Sequence, residues 1–279
     1  MFLLIFVLSF ILFLNEQSSA QKNILTISQL QKTRLYKSLD DALKEPHKVF
    51  RLNLENSGLS ELTSEIYKFD KLQSLNLSNN NLYELPKEIG MLKNLQFLNL
   101  TGTNLHDLPD EFANLKNLLV LNLDNMASFN FTVSKRIILS LKNLREISAN
   151  SVYIPVFPSE FYKLKKLLKI SMANCGMVNI SEQIGDISNL MYLDLSFNQL
   201  TDLPDEIGDL MNLRDLYLGG NNLKSLPDNI ENLKDNLVTL GLASEQKDTG
   251  EFFSNPIPKT EVLNLQNLLP YTKIIYIWN

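Results

Sequence analysis

The sequence is poor in the residues on which most side-chain chemistry depends. It holds one cysteine, Cys175, and two histidines, His47 and His106. A single cysteine excludes an intrachain disulfide, and two histidines offer little for a metal site or an acid–base pair. No H-E-x-x-H, G-x-S-x-G or P-loop spacing occurs. Basic residues are outnumbered, 26 Lys+Arg against 31 Asp+Glu, giving a net charge of −5 and a pI near 5.2. That balance leaves no basic face to meet phosphate and argues against a nucleic-acid binder. Blocks of five or six like charges are missing, so charged tails are excluded as well.

Long apolar runs are absent except at the start. Phe2 to Leu14 is apolar apart from Ser9, too short to cross a bilayer core but suited to the apolar region of a signal peptide. Ser18 and Ala20 supply small residues at −3 and −1 of a cleavage site, so residues 1–20 read as a leader and Gln21 as the mature N-terminus. The flanking charge runs the other way: Lys22, Lys32, Arg34 and Lys37 follow the run and no cation precedes it, the reverse of what favours export. An uncleaved anchor or a buried N-terminal helix is the competing reading.

What the chain has in abundance is leucine at a fixed period. "LQSLNLSNNNLYELPKEIGMLKN" from Leu72 is followed by "LQFLNLTGTNLHDLPDEFANLKN" from Leu95, 23 residues on. The segments from Leu190 and Leu213 repeat the pattern at the same spacing, and looser copies start at Val49, Leu118, Leu144, Leu167 and Leu237. In "LQSLNLS", Leu75 and Leu77 alternate with polar residues, the period of a half-buried strand. Leu82, Leu85, Ile89 and Leu92 then recur at spacings of three and four, which predicts a tight 3₁₀-like return with Pro86 fixing its start. One unit cannot bury its own apolar face, so the units must stack. About nine stacked strands make a curved parallel sheet of roughly 40 Å.

A pattern this long resembles the leucine-rich repeat proteins, of the 23-residue "LP" kind found in bacteria and in Ras-associated scaffold proteins. The resemblance implies an α/β solenoid with the parallel sheet on its concave face and short helical or 3₁₀ segments on its convex face. It implies a buried ladder residue at the ninth position of each unit, here Asn80, Asn198 and Asn221, with Thr103 in the same place. Cys175 also occupies that position, where a thiol replaces asparagine, so it reads as a ladder residue and not as a nucleophile. Protein or peptide binding is implied too, with no cofactor, metal or catalytic residue.

A stack needs covers for its two raw ends. "SLDDALKEP" (38–46) has a serine N-cap, acidic residues in its first turn and a proline stop, and predicts a helix within an N-terminal cap over 21–48. The repeats then run over 49–243 and a C-terminal cap over 244–279. "TEVLNLQNLLP" predicts a helix and "TKIIYIW" a last strand, with Leu263, Leu265 and Leu268 closing the core. One unit departs from the template. From Leu118 to Asn143 it is three residues longer than the others, with Met126 in its ladder position and Val152 in the next. Phe129, Phe131 and Val133 are expected to refill the core there and Ser134 to cap a more helical return. An exposed edge carrying Phe129 and Tyr153 is the alternative.

The concave face is the candidate site, because its outward residues are not dictated by packing. An asparagine row (Asn53, Asn76, Asn99, Asn122) adjoins Phe97 and Asp124. Farther along, Tyr192 and Tyr217 stand beside Asp194 and Asp215. Aromatics among polar neighbours are typical interface anchors. His106 sits at a variable surface position. The sequons at Asn76 and Asn99 follow automatically from "LNLS" and "LNLT". The reading is an exported, non-catalytic module that binds a protein or peptide through Phe97, Asn99, Asn122, Asp124, Tyr192, Asp194, Asp215 and Tyr217. Nucleic acid is not a partner, and the mature chain does not insert in a membrane. An intracellular scaffold of the Ras-associated kind is the alternative.

Overall fold

Each unit contributes three residues of strand, and this minimal strand sets the architecture. The computed structural model describes residues 24–246 and 249–277; the expected leader and its cleavage site at Gln21 lie outside them. Strands β1 (Leu35–Tyr36), β2 (Arg51–Asn53), β3 (Ser74–Asn76), β4 (Phe97–Asn99), β5 (Val120–Asn122), β6 (Glu146–Ser148), β7 (Lys169–Ser171), β8 (Tyr192–Asp194), β9 (Asp215–Tyr217) and β10 (Thr239–Gly241) follow one another in chain order. All pair in parallel, and β13 (Lys273–Ile275) completes an 11-stranded sheet beyond β10. The register never slips, so Leu52, Leu75, Leu98, Leu121, Ile147, Ile170, Leu193, Leu216 and Leu240 form one buried row.

The convex side returns through 3₁₀ turns such as Lys87–Met91, Asp110–Asn114 and Asp205–Asp209. Pro86, Pro109 and Pro204 precede them with φ of −64°, −65° and −68°, the values the ring imposes anyway. Leucines at the spacings of three and four close the turn from inside: Leu82, Leu85, Ile89 and Leu92 are all buried.

Between strand and return, the backbone leaves polar groups inside the stack. Asn198 Nδ2 donates to Met172 O, Leu195 O and Ser196 O, while its Oδ1 accepts from the N–H groups of Cys175 and Met177. Asn80 and Asn221 make the same kind of bridge. Thr103 Oγ1 donates to Leu100 O, and Cys175 Sγ donates to Ala149 O at 3.1 Å. A further rung escaped the sequence reading. Asn255 Nδ2 donates to Leu218 O and Leu242 O, and its Oδ1 accepts from Leu223 N. The repeat count points to Glu245 at this rung. A hairpin of β11 (Ala243–Glu245) and antiparallel β12 (Phe252–Ser254) intervenes and delivers Asn255 instead.

A second, outer ladder runs along the solvent side. The last asparagine of five units (Asn94, Asn117, Asn189, Asn212, Asn236) donates its Nδ2 to a backbone carbonyl of the preceding turn at 2.7–2.8 Å. Asn143 of the long unit does so too, and Lys166, which replaces asparagine in the following unit, donates to Asn143 Oδ1.

The long unit has the more helical return expected of it and is corrected in two places, its cap and Val133. Helix α3 (Phe131–Ile138) replaces the 3₁₀ turn; α1 (Ile27–Lys32) and α2 (Leu39–Lys44) precede it. The cap of α3 is Asn130, whose Oδ1 accepts from Val133 N, and not Ser134. Ser134 is buried and accepts from Leu108 N of the preceding unit, one turn into a helix where it cannot serve as a cap. Phe129 and Phe131 fill the core, with Phe131 edge-on to Phe161, but Val133 is 57% exposed because it falls on the outer face of α3. Met126 and Val152 occupy the ladder position as buried apolar side chains.

Both ends are covered. Ser38 caps α2 through Asp41 N, and β1 adds a strand in front of β2 that the sequence reading had not placed. At the other end, α4 (Lys259–Leu268) buries Val262 and Leu265, followed by Leu269. Leu263 is 45% exposed, a correction that follows from helical phase: 262, 265 and 269 share the inner face.

The two ladders differ in burial, so they should differ in cost. Asn198→Ala strands buried backbone groups and is expected to lower stability by about 3 kcal/mol. Asn212→Ala, on the exposed ladder, is expected to cost under about 1 kcal/mol. Urea titration of both variants checks the ranking.

Candidate functional site

Two outward rows cross the concave face. One runs Arg51, Ser74, Phe97, Val120, Glu146, Lys169, Tyr192, Asp215, Thr239; the other runs Asn53, Asn76, Asn99, Asn122, Ser148, Ser171, Asp194, Tyr217, Gly241. The asparagine row is partly committed to the backbone. Asn76, Asn99 and Asp194 each accept, through Oδ1, the N–H two residues ahead at 3.0 Å, a turn the side chain closes by itself. Asp124 Oδ1 accepts from Ser148 Oγ at 2.6 Å and Asn150 N at 2.7 Å, one strand over. These side chains stiffen the strand ends, and what they offer a partner is their remaining polar edge.

Tyr192 and Tyr217 lie diagonally across β8 and β9, with ring centroids 5.4 Å apart and planes tilted by 43°. Asp215 pairs with Tyr192 and Asp194 with Tyr217 across the register. Lys169, one strand back, places its Nζ 4.5 Å from the Tyr192 centroid, within cation–π range. Tyr217 leans over Gly241, where a Cβ would come within 2.7 Å of the ring. Burial, then the charge of Asp194, raises the Tyr192 phenol; burial, then Asp215, raises that of Tyr217. Both hydroxyls therefore stay protonated, and the pair presents two flat rings with O–H donors, bordered by carboxylates.

The hairpin β11–β12 rises beside this end of the sheet. It passes so close to β9 that a Cβ on Gly219 would stand 2.3 Å from the backbone of Ala243 and Ser244. Ser244 Oγ donates to Ser196 Oγ at 3.0 Å, and Phe253 meets Phe197 edge-on at 5.9 Å. Phe197 holds φ at +57°, a left-handed conformation rare for a bulky residue. Phe252 remains 53% exposed on the same hairpin. Nothing in the repeat count pointed to this aromatic group; its signal was the surplus of residues after β10.

The opposite end of the face is different. Ile27 of α1 packs on Phe97, Leu119 and Val120, so Phe97 lies beneath the chain's own N-terminal segment. Asn99 and Asn122 stand one row over on the same strands.

Chemistry is sparse. Cys175 is buried in the ladder and its thiol is pushed up to about 12 by that burial, so it is not a thiolate. His47 Nδ1 meets Asp70 Oδ1 on the exposed rim, and His106 is exposed on a loop. Among the described residues no group of three or more His, Cys, Asp and Glu side chains could hold a metal. No helix among them is long and apolar enough to cross a membrane.

One titratable group stands out. Glu146 is 4% exposed, its Oε1 has no hydrogen-bond partner among the described residues, and burial raises its carboxyl to about 7, partly opposed by Lys169. An acid with a raised folded pKa binds its proton more tightly when folded, so its contribution is full below the unfolded value and is lost as pH rises through about 7. Glu146→Gln is therefore expected to stabilise the chain by about 2 kcal/mol at pH 8 and to be neutral below pH 4.5. Urea titrations at the two pH values read the difference.

The geometry has recognisable relatives. Family models described as "Leucine-rich repeat region" and "Leucine rich repeat" match residues 45–181 and 181–246. No curated protein matches the chain. Among solved structures it is similar to an internalin, InlF, of Listeria monocytogenes, with TM-score 0.61, 19% identity, 90% of this chain and 75% of that one covered. It is similar also to the ectodomain of the receptor kinase GASSHO1/SCHENGEN3 of Arabidopsis thaliana, solved in complex with Casparian Strip Integrity Factor 2. There the TM-score is 0.60 with 25% identity over 77% of this chain, which spans only 25% of the receptor chain. With leucine-rich repeat models matching it over consecutive stretches from 45 to 246, the chain belongs to the leucine-rich repeat family.

Proposed function

We propose that this chain is a non-catalytic binding module that holds a protein or peptide on its concave face, and that it does so outside the cytoplasm. The observation that carries the proposal is the Tyr192–Tyr217 pair. Two half-buried rings lie 5.4 Å apart on the sheet between Asp194, Asp215 and Lys169. Rings of this kind supply contact area at little entropic cost, and the bordering charges set which partner is accepted. The parallel sheet below them is held by hydrogen bonds on both edges of every inner strand, so the patch is rigid before anything binds.

Two further points support the reading. The GASSHO1/SCHENGEN3 ectodomain carries the same fold and was solved with Casparian Strip Integrity Factor 2 bound. Residues 1–20 read as a leader removed before Gln21, which supports an extracytoplasmic module with proposed caps over 21–48 and 244–279 around repeats over 49–243. Asp194, Asp215, Tyr192 and Tyr217 form the main anchor, and Asn99, Asn122 and Asp124 extend the surface along the asparagine row. Phe97 is reached only where the N-terminal segment leaves it.

Capture experiments with the full chain and with Tyr192→Ala/Tyr217→Ala test the patch. The double variant is expected to weaken retention of the captured partner about 10- to 100-fold, the usual loss for aromatic anchors. Equal capture by both chains refutes the assignment. Mass spectrometry of the chain recovered outside producing cells should find an N-terminus at Gln21, and a chain found only inside refutes export.

A further inference from the structure

At the N-terminal end of the concave face, two glutamines are buried where other units carry half-exposed or exposed residues. Gln73 is 0% and Gln96 6% exposed, whereas the equivalent Arg145, Leu168, Met191 and Arg214 are at least partly open. They are buried against main chain. The Leu25 N–H donates to Gln73 Oε1 at 3.0 Å, and Gln96 Nε2 donates to Leu25 O at 3.5 Å. Gln96 Nε2 also donates to Gln73 Oε1 at 2.9 Å, which locks the two amides into one unit. Together they contact both backbone polar groups of a single residue.

Around this pair the segment is gripped at two more places. Ile27, two residues on, fills a socket of Phe97, Leu119 and Val120. Arg51 Nη1 donates to Gln31 O at 2.9 Å and Thr33 O at 3.4 Å, at the C-terminal end of α1. Thr26 caps α1 and Gln29 reciprocates from the third position, so the extended residue passes directly into the helix.

We propose that β3 to β5 form a second binding site on the concave face, one that reads the main chain of a short peptide entering a helix, with an apolar side chain two residues after the one read. Its resident occupant is the chain's own segment from Ile24 to Lys32, seated as an exchangeable strap. The chemistry favours exchange over permanent packing. A six-residue helix has no stability of its own in water. The polar groups that grip it are amides and a guanidinium, which water solvates when the strap leaves. Its buried apolar side chains are just Ile27 and Leu30, with Ile24 and Leu25 half-buried.

This site is distinct from the tyrosine patch. β4 and β8 are four strands apart, about 19 Å, so either site can fail with the other intact. Displacement of the strap would open Phe97, Val120 and the glutamine pair to another segment of the same chemistry.

The test uses the full chain with a protease site inserted between Thr33 and Arg34, so that the strap can be cut after folding. A fluorescent synthetic peptide spanning Ile24 to Thr33 is then added to the cut chain, and anisotropy is read. Expected is saturable binding that unlabelled peptide competes away. The Ile27→Asp peptide should bind at least tenfold more weakly, as should the native peptide on a Gln73→Ala/Gln96→Ala chain. Binding should be unchanged on the Tyr192→Ala/Tyr217→Ala chain. No exchange of the cut strap for added peptide, or equal binding of the Ile27→Asp peptide, overturns the proposal. Loss of the circular dichroism of the fold on cutting overturns it as well, since the strap would then be a fixed part of the stack.

Discussion

Every turn of this solenoid folds backbone N–H and C=O groups into an apolar interior, and in most units one side chain meets them. A buried amide group without a partner costs about 1–3 kcal/mol, as much as burying a single leucine contributes. Asn198 alone bridges five backbone groups of two adjacent turns. Geometry leaves few alternatives at that point: the side chain must be short, must donate, and must accept where both neighbours are regular. Thr103 and Cys175 keep the donation only. Where even that is absent, Met126 lies in the longer unit that carries its own helix and Val152 in the regular unit after it, both as buried apolar side chains. That helix also supplies Ser134 Oγ, which accepts from the Leu108 N–H of the preceding turn.

Because the ladders and the leucines hold the stack, the outward residues of the strands are released from structural duty, and the concave face can differ from end to end. It does so here. One end is amide and aliphatic, covered by the chain's N-terminal segment; the other is aromatic and acidic, walled by a hairpin. Parallel strands at a fixed spacing convert sequence order into position, so neighbouring functions are set four or five repeats apart with no change to the core.

The repeated elements were legible because each is written many times. Strand alternation, the "LP" return and the ninth-position asparagine are fixed by periodicity, and the N-terminal helix announces itself with Ser38 and two aspartates. The outer ladder was also written repeatedly, as Asn94, Asn117, Asn189 and Asn212, but an exposed asparagine at a turn has an ordinary solvated reading. What periodicity cannot supply is anything that occurs once. Asn255 was hidden because ten extra residues displace it from its count. Asn130 and Ser134 both fit a helix start, and only the phase of α3 decides between them. The Tyr192–Tyr217 pairing follows from alternation plus register, whereas the embrace of Leu25 by Gln73 and Gln96 joins residues 48 and 71 positions apart and leaves no local trace.

The hairpin after β10 enters and leaves the stack at almost the same point: its first strand departs beside Gly219, and its last hands over to Asn255, which resumes the ladder as though nothing had intervened. A seam of that kind uncouples length from stability. Residues can be added or removed between Glu245 and Phe252 while both rungs on either side remain joined, because the described residues of the tip, Gln246 and 249–251, are exposed. The molecule thus carries, beside its aromatic surface, one place where new contact area can be grown by insertion without re-solving the fold, and a lineage of such chains could change what it grips by altering that loop alone.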